Sequence, residues 1–308
     1  MAATPQSSGS RGDERLRTSQ PPAGGQSVGL SARDVRSAAK LLGEESPTVR
    51  QAVRRAFRAH PRLAKHLLAK RSRDEDPRVR AHVRVLQLSF GREEVVRRML
   101  RHLARPKIDL ERALFLLGRF DDPRLDARPF QRALDGFARE FTKRSAGLTE
   151  ELDRGRALAR YLGEEVGFRG VSDGRYPPTD IFVHRAIETR RGLPLTLTAI
   201  YSFVARRAGL RVGIVPLPGH IMLRLYGRRQ NLIVDPFHGG EARSQAALMH
   251  YLAQNGLAFR SIWFRDADER GLLLRQVRNL SHSLEIHERR GQVRALRPLL
   301  AQALPKSR

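Results

Sequence analysis

The chain has 308 residues, of which 40% are hydrophobic and 29% charged, and this length and composition fit one large or two modest folded domains. Its formal net charge is +26. It contains no cysteine, and this excludes disulfides, thiolate catalysis and cysteine-ligated metal sites. No apolar run reaches the about 18 residues of a membrane-spanning helix and no signal-peptide pattern opens the chain, so we expect a cytoplasmic protein without a membrane partner.

The first half of the chain has helical patterns. Residues 1–29 are rich in Ser, Gly, Pro and Gln without apolar periodicity, which predicts a disordered tail. Residues 30–163 are predicted to be α-helical, beginning with a capping box at Ser31 and Asp34. The segments SPTVR (46–50) and DPRVR (76–80) each place a proline at a helix start, 30 residues apart. This spacing predicts HEAT-like helical pairs.

The pattern changes after residue 163, and residues 164–268 read as a mixed core. A helix is predicted at 180–190 and a second from Pro194 to Ala208, followed by four apolar runs with strand character. Residues 269–308 return to a helical pattern. The predicted fold class is therefore α+β, with a helical N-terminal region, a helix packed on a small antiparallel sheet, and C-terminal helices. The predicted strands are Arg211–Val215, Ile221–Tyr226, Leu232–Val234 and Ser261–Phe264.

A possible catalytic arrangement lies within this core. Cysteine hydrolases place the nucleophile at a helix N-terminus, where the helix dipole stabilises a thiolate. A histidine then accepts the proton and a carboxylate orients the imidazole. Here the helix begins at Pro194, His220 precedes the second predicted strand, and Asp235 ends the third. Pairing of these two strands predicts that His220 and Asp235 lie side by side.

Three segments resemble a known family. YPPTDIFVHRAIETRRGLPLTL, VARRAGLRVGIVPLPGHIMLRL and LIVDPFHGG look like the transglutaminase-like core of the SirB-type bacterial proteins, and the resemblance covers residues 105–285. It implies a transglutaminase-like (papain-like) α+β core. Carried over position by position, the family's histidine and aspartate fall on His220 and Asp235. The cysteine falls on Pro194, which cannot act as a nucleophile, and the nearest hydroxyl belongs to Thr196.

The resemblance supports two hypotheses for the core. The first is a non-catalytic regulatory protein whose cleft binds a protein or peptide partner. The second is an amide or ester hydrolase or acyltransferase, with Thr196 or a water as nucleophile, His220 as base and Asp235 as its orienting group. Thr196 is alternatively a residue that caps the first turn of the helix. The predicted ligand-binding residues are Arg191, Pro194, Arg224 and His238, although either arginine could instead form a structural ion pair.

Two further possibilities concern metals and nucleic acids. His238 could join His220 and Asp235 in a metal site, but no His-x-His or His-Glu-x-x-His spacing supports it, so we expect no metal and no cofactor. A large positive field attracts polyanions, and a nucleic-acid binder that uses the arginine-rich helices around residues 50–105 is a third hypothesis. The competing explanation is an arginine-rich composition on solvated helix faces, because no recognition motif accompanies the charge.

Overall fold

The computed structural model describes residues 30–303 except 172, 173 and 175. The tail predicted to be disordered, 1–29, lies outside the described residues, as do residues 304–308. The chain divides into two units, Met1–Val83 and Arg84–Arg308. The domain boundaries expected at residues 163 and 268 stay predictions.

Helices dominate the described part of the chain, and its strands are short, which confirms the predicted α+β class. None of the described helices is both long enough and apolar enough to cross a membrane. The helices are α1 (Ala32–Lys40), α2 (Pro47–Ala59), α3 (Pro61–Arg71), α4 (Pro77–Leu103), α5 (Leu110–Asp121), α6 (Arg128–Arg144), α7 (Glu151–Arg160), α8 (Val183–Thr189), α9 (Pro194–Arg207), α10 (Gln245–Gln254), α11 (Glu269–Ile286) and α12 (Arg290–Leu300). The strands are β1 (Arg169–Gly170), β2 (Arg191–Gly192), β3 (Val212–Val215), β4 (Met222–Tyr226), β5 (Asn231–Asp235) and β6 (Glu241–Arg243).

In the first unit, α1 packs against α2 and α3 around a small apolar core. The predicted capping box is confirmed, because Ser31 Oγ accepts a hydrogen bond from Asp34 N while the Asp34 carboxylate accepts one from Ser31 N. Pro47 and Pro77 begin α2 and α4 as predicted, although Ser46 makes no side-chain cap bond. The HEAT-like arrangement stays a prediction. The buried apolar side chains here include Val35, Leu42, Val53, Phe57, Leu68 and Val79.

The second unit is organised around α9, which is buried on all sides. Every residue from Leu195 to Ala205 is buried. A helix that is hydrophobic all round is stable only inside a core, and α9 packs against α6, α8, β3 and β4. The helix predicted over Pro194–Ala208 is therefore confirmed to within one residue.

Four antiparallel strands form a sheet in the order β3-β4-β5-β6. The first three predicted strands match β3, β4 and β5 to within one residue at each end. β4 and β5 join through a tight turn in which Gly227 N donates to Gln230 O at 3.1 Å. The sequence does not indicate β6, because Glu241–Arg243 lacks the apolar alternation typical of a strand.

The strand predicted over Ser261–Phe264 is wrong, because this segment is a short 3-10 helix. Trp263 N bonds back to Arg260 O and Arg265 N bonds back to Ile262 O, which closes turns instead of extending the chain. The next residues then meet the edge of the sheet, where Ala267 N donates to Ile214 O on β3 at 2.8 Å. An apolar run of four residues does not distinguish these outcomes.

One close backbone approach fixes the position of the turn after β5. α7 continues into a π-helical turn, Tyr161–Glu165, that contains Gly163. A Cβ added to Gly163 would lie 1.7 Å from the carbonyl oxygen of Gly239, which is far inside van der Waals contact. Gly136, in the middle of α6, is a useful contrast because no atom lies within 4 Å of its equivalent Cβ position.

We therefore expect Gly163→Ala to destabilise the protein by about 3 kcal/mol, because the turn after β5 must move to accept the methyl group. Gly136→Ala should instead stabilise the protein by about 0.5–1 kcal/mol, since alanine is favoured over glycine inside a helix. Urea denaturation measures both free energies of unfolding. Similar values for the two variants would show that Gly163 is not closely packed against Gly239.

Candidate ligand-binding site

Asp235 ends β5 at a turn that its own side chain caps. Pro236 follows, and it has no N–H to continue the strand pairing. Asp235 Oδ1 accepts hydrogen bonds from two backbone amides of the turn, at 3.1 Å and 3.4 Å, the second from His238. Gly239 and Gly240 complete the turn at φ values of 67° and 84°, which favour glycine. The turn therefore fixes both the Asp235 carboxylate and His238.

His220 lies in the loop that precedes β4. Gly219, at φ 75°, turns the chain immediately before it. The Tyr251 hydroxyl, from α10, donates to Pro218 O at 2.9 Å. The guanidinium of Arg275, from α11, donates to the carbonyl of His220 at 3.4 Å. Two helices therefore hold the loop that presents the imidazole.

The structure places His220 against Asp235, and a second histidine against the same carboxylate. His220 Nε2 lies 2.9 Å from Asp235 Oδ1, and His238 Nδ1 lies 2.8 Å from Asp235 Oδ2. Arg243 on β6 also donates to Asp235 Oδ2, at 3.3 Å. The Asp235 side chain is 1% exposed, whereas that of His238 is 53% exposed. His220 thus meets the carboxylate through Nε2 and also lines a neighbouring cleft.

The Asp235 carboxylate stays ionised in this environment. Burial by itself would raise its pKa, but the hydrogen bonds and positive charges of His220 and His238 outweigh burial and lower the pKa to about 2. Burial raises the pKa of the Tyr201 phenol on α9, and the negative charge of Asp235 raises it further. Tyr201 is therefore a neutral neighbour of the carboxylate at any physiological pH.

A cleft of about 600 Å³ lies at the start of α9, and His220 and Pro194 both line it. Pro194 is the first residue of the helix and has no N–H. The amides that follow in the first turn have no acceptor within the helix and favour negative charge nearby. Arg275 and His282, from α11, add a guanidinium and an imidazole to the lining. The cleft therefore favours a ligand with a negatively charged group.

Thr196 is fully buried and lies away from the cleft lining, which its neighbours Pro194 and Leu195 provide. Its Oγ1 donates to Ile181 O at 3.0 Å and accepts from Gln276 Nε2 at 2.9 Å. The hydroxyl proton is thus directed at a backbone carbonyl. These two bonds connect α9 to α11 and to the turn that precedes α8.

The remaining predicted ligand residues occupy three different places. Arg191 is exposed on β2. The side chain of Arg224 on β4 is 14% exposed, and its guanidinium donates to Asp266 Oδ1 at 2.8 Å. His238 lines a separate cavity of about 840 Å³, together with Arg160. Ligand roles for Arg191, Arg224 and His238 stay predictions.

Sequence reasoning missed Arg243, Arg275 and Gln276. Arg275 and Gln276 meet partners more than 50 positions away along the chain, and spacing alone does not reveal such contacts. Gln276 carries the one usable signal, because it is a polar residue in the apolar stripe of α11 that includes Leu273 and Leu280. A fully buried amide at such a position predicts a buried hydrogen-bond partner.

His220, Asp235 and His238 also form a group that could hold a metal ion, with ligand atoms within 4.8 Å of one another. The carboxylate, however, already accepts hydrogen bonds from two imidazoles, two backbone amides and Arg243. A metal ion there would face the Arg243 guanidinium and displace both imidazole bonds. The donor set fits a hydrogen-bonded carboxylate better than a metal centre.

Comparison with known proteins agrees with this geometry. Residues 128–278 match the model of the transglutaminase-like superfamily. Over these residues the chain is similar to the transglutaminase-like superfamily. A UPF0162 protein of Xylella fastidiosa strain Temecula1 is 31% identical over 180 residues, which cover 55% of this chain and 62% of that protein. A UPF0162 protein of Xylella fastidiosa strain 9a5c is 32% identical over 129 residues, or 41% and 44% of the two chains.

A more distant relative is the F-box only protein 21 of Mus musculus, which is 26% identical over 81 residues, covering 26% of this chain and 13% of that protein. The chain thus spans less than two thirds of the length of each of these relatives. No solved structure matches it significantly. The match confirms the predicted resemblance, and the matched residues contain no cysteine.

The depressed pKa of Asp235 predicts a pH dependence of stability. Its folded-state value of about 2 lies below the ordinary value of 3.8, so its contribution is present above pH 3.8 and is lost as the pH falls towards 2. Integrated over this window, the loss amounts to about 2 kcal/mol. In Asp235→Asn this part of the loss should be absent.

Urea denaturation at pH 5 and at pH 2.5 measures the loss for each protein. Asp126→Asn is a matched control, because Asp126 is exposed and pairs with Arg128 at the surface. This control should keep most of the wild-type loss. If Asp235→Asn loses as much stability as the wild type between the two pH values, Asp235 is not the group that we describe.

Proposed function

We propose that the cleft at the start of α9 binds a peptide segment of a partner protein and does not cleave it. The observation that carries this proposal is an intact His220–Asp235 pair next to Pro194, which has no nucleophilic atom. The neighbouring Thr196 directs its buried hydroxyl at Ile181 O and away from the cleft. The cleft thus contains groups that can orient a ligand, and neither Pro194 nor Thr196 presents a side chain that could attack it.

The lining of the cleft favours a peptide that carries a carboxylate. Arg275 lies at the cleft and is not paired with a carboxylate among the described residues, since its guanidinium donates to the carbonyls of Leu217 and His220. Leu193 and Ile221 provide apolar surface beside these charges. A volume of about 600 Å³ lies within the range of about 300–1,000 Å³ that is typical of specific ligand sites. A domain that binds a peptide in this cleft without cleaving it would act as a regulatory module.

Selection of peptides from a random phage-displayed library tests the binding. We expect the selected peptides to be enriched in Asp and Glu. We also expect His282→Trp to weaken their binding by about tenfold or more, because the indole would fill the cleft and about 1.4 kcal/mol corresponds to each factor of ten. Arg278→Trp is the control, since Arg278 is exposed on the same helix outside the cleft lining.

Fluorescence polarisation with a labelled selected peptide gives the affinities. Equal weakening by His282→Trp and Arg278→Trp would mean that the peptide binds elsewhere on α11. If the selected peptides lack acidic residues, the proposal that the ligand carries a carboxylate is wrong.

A hydrolase that activates water is the second candidate, favoured by the position of His220. His220 holds ionised Asp235 through Nε2, and a neutral imidazole that donates from one nitrogen accepts on the other, so His220 could take a proton from a water in the cleft that it lines. We expect no turnover of p-nitrophenyl acetate or of a glutamine-containing peptide by the pure protein above the rate with His220→Ala. Turnover that requires His220 but persists in Thr196→Val would overturn the non-catalytic proposal and favour the water mechanism.

A further inference from the structure

A second cavity, of about 570 Å³, has a lining dominated by arginine. Arg98 and Arg101 on α4, with Arg105 just beyond its end, follow the i, i+3, i+7 spacing of one helix face. Arg112 and Arg119 on α5 are also seven residues apart and line the same cavity. In the part of the chain that the structure describes, no aspartate or glutamate contributes to this lining.

The positive charge of this arginine cavity is poorly balanced. Glu94 is shared, since it lies 2.7 Å from Arg98 and 3.7 Å from Arg101, and it also pairs with Arg97 outside the cavity. Arg119 donates through Nε to a backbone carbonyl, that of Leu125, at 3.0 Å.

Arg105 and Arg112 have no side-chain hydrogen bond or ion pair within the described ranges, 30–171, 174 and 176–303. The guanidinium groups that line this cavity carry like charges, which repel each other where salt does not screen them. A multiply charged anion would relieve this repulsion.

We propose that the arginine cavity binds a small molecule with at least two adjacent phosphate groups. Guanidinium groups match phosphate oxygens in bidentate geometry, and several of them converge here. Phe115 and Leu116 lie between Arg112 and Arg119 on the same face of α5 and provide an apolar surface for an organic portion. The cavity volume also falls within the about 300–1,000 Å³ typical of small-molecule sites.

A concave pocket favours a small ligand over a nucleic-acid strand, since proteins that follow a strand use an extended positive groove with stacking side chains. The arginine cavity shares no lining residue with the cleft at α9. The proposal is therefore independent of the proposed peptide binding.

Isothermal titration calorimetry of the full chain with sodium tripolyphosphate, at 150 mM NaCl, tests the proposal. We expect one saturable site. Arg105→Gln/Arg112→Gln should weaken binding by about tenfold or more, because each arginine supplies a charge-assisted contact. Neither side chain holds the fold through a hydrogen bond or ion pair in the described ranges, so this variant should fold normally, as thermal unfolding will check.

The control is Arg132→Gln/Arg139→Gln, which removes the same charge from exposed positions of α6 outside the cavity lining. It should leave the dissociation constant within about twofold, because neither side chain lines the cavity. Equal weakening by both double variants would mean diffuse attraction and would overturn the proposal. The absence of saturable binding would overturn it as well.

Two further titrations identify the ligand chemistry. ADP should bind more tightly than pyrophosphate if Phe115 and Leu116 contact an organic portion, and equal affinities would remove that part of the proposal. A single-stranded RNA 12-mer tests the alternative of a nucleic-acid site. RNA binding that depends on Arg105 and Arg112, with no binding of tripolyphosphate or ADP, would overturn the small-molecule proposal.

Discussion

The ionised carboxylate of Asp235 accepts hydrogen bonds from two imidazoles, two backbone amides and the Arg243 guanidinium while being almost fully buried. An ion buried in this way costs several kcal/mol unless donors surround it. The donors come from the loop before β4, the turn after β5 and the strand β6. The relative positions of these three segments, and with them the wall of the cleft that His220 forms, therefore depend on one side chain.

The same side chain stabilises the turn after β5 and fixes the ring of His220. Asp235 caps the turn that carries His238, and it also holds through Nε2 the ring of His220, which lines the cleft. α9 does not depend on one polar side chain in this way, because its buried surface comes mainly from apolar residues. Its first residue, Pro194, has no backbone N–H and makes no hydrogen bond through one. Pro194 thus begins an element whose stability does not depend on a hydrogen bond from that residue.

The sequence allowed prediction of those features that depend on local pattern. The helix beginning at Pro194 and three of the four strands of the larger sheet follow from periodicity, and the contact between His220 and Asp235 follows from the pairing of adjacent strands. The sequence does not indicate β6, because this strand has only three residues and is polar. The contacts of Arg275 and Gln276 depend on how α11 packs, and chain spacing does not encode this packing.

Pro194 and Asp235 differ in how freely the fold lets them change. Many residues can begin a helix, so a nucleophile at position 194 can be exchanged without disturbing α9. Loss of Asp235 would leave a buried cluster of cationic donors without their acceptor. Selection for folding alone would therefore retain the aspartate, and its presence in a relative is not in itself a record of catalysis.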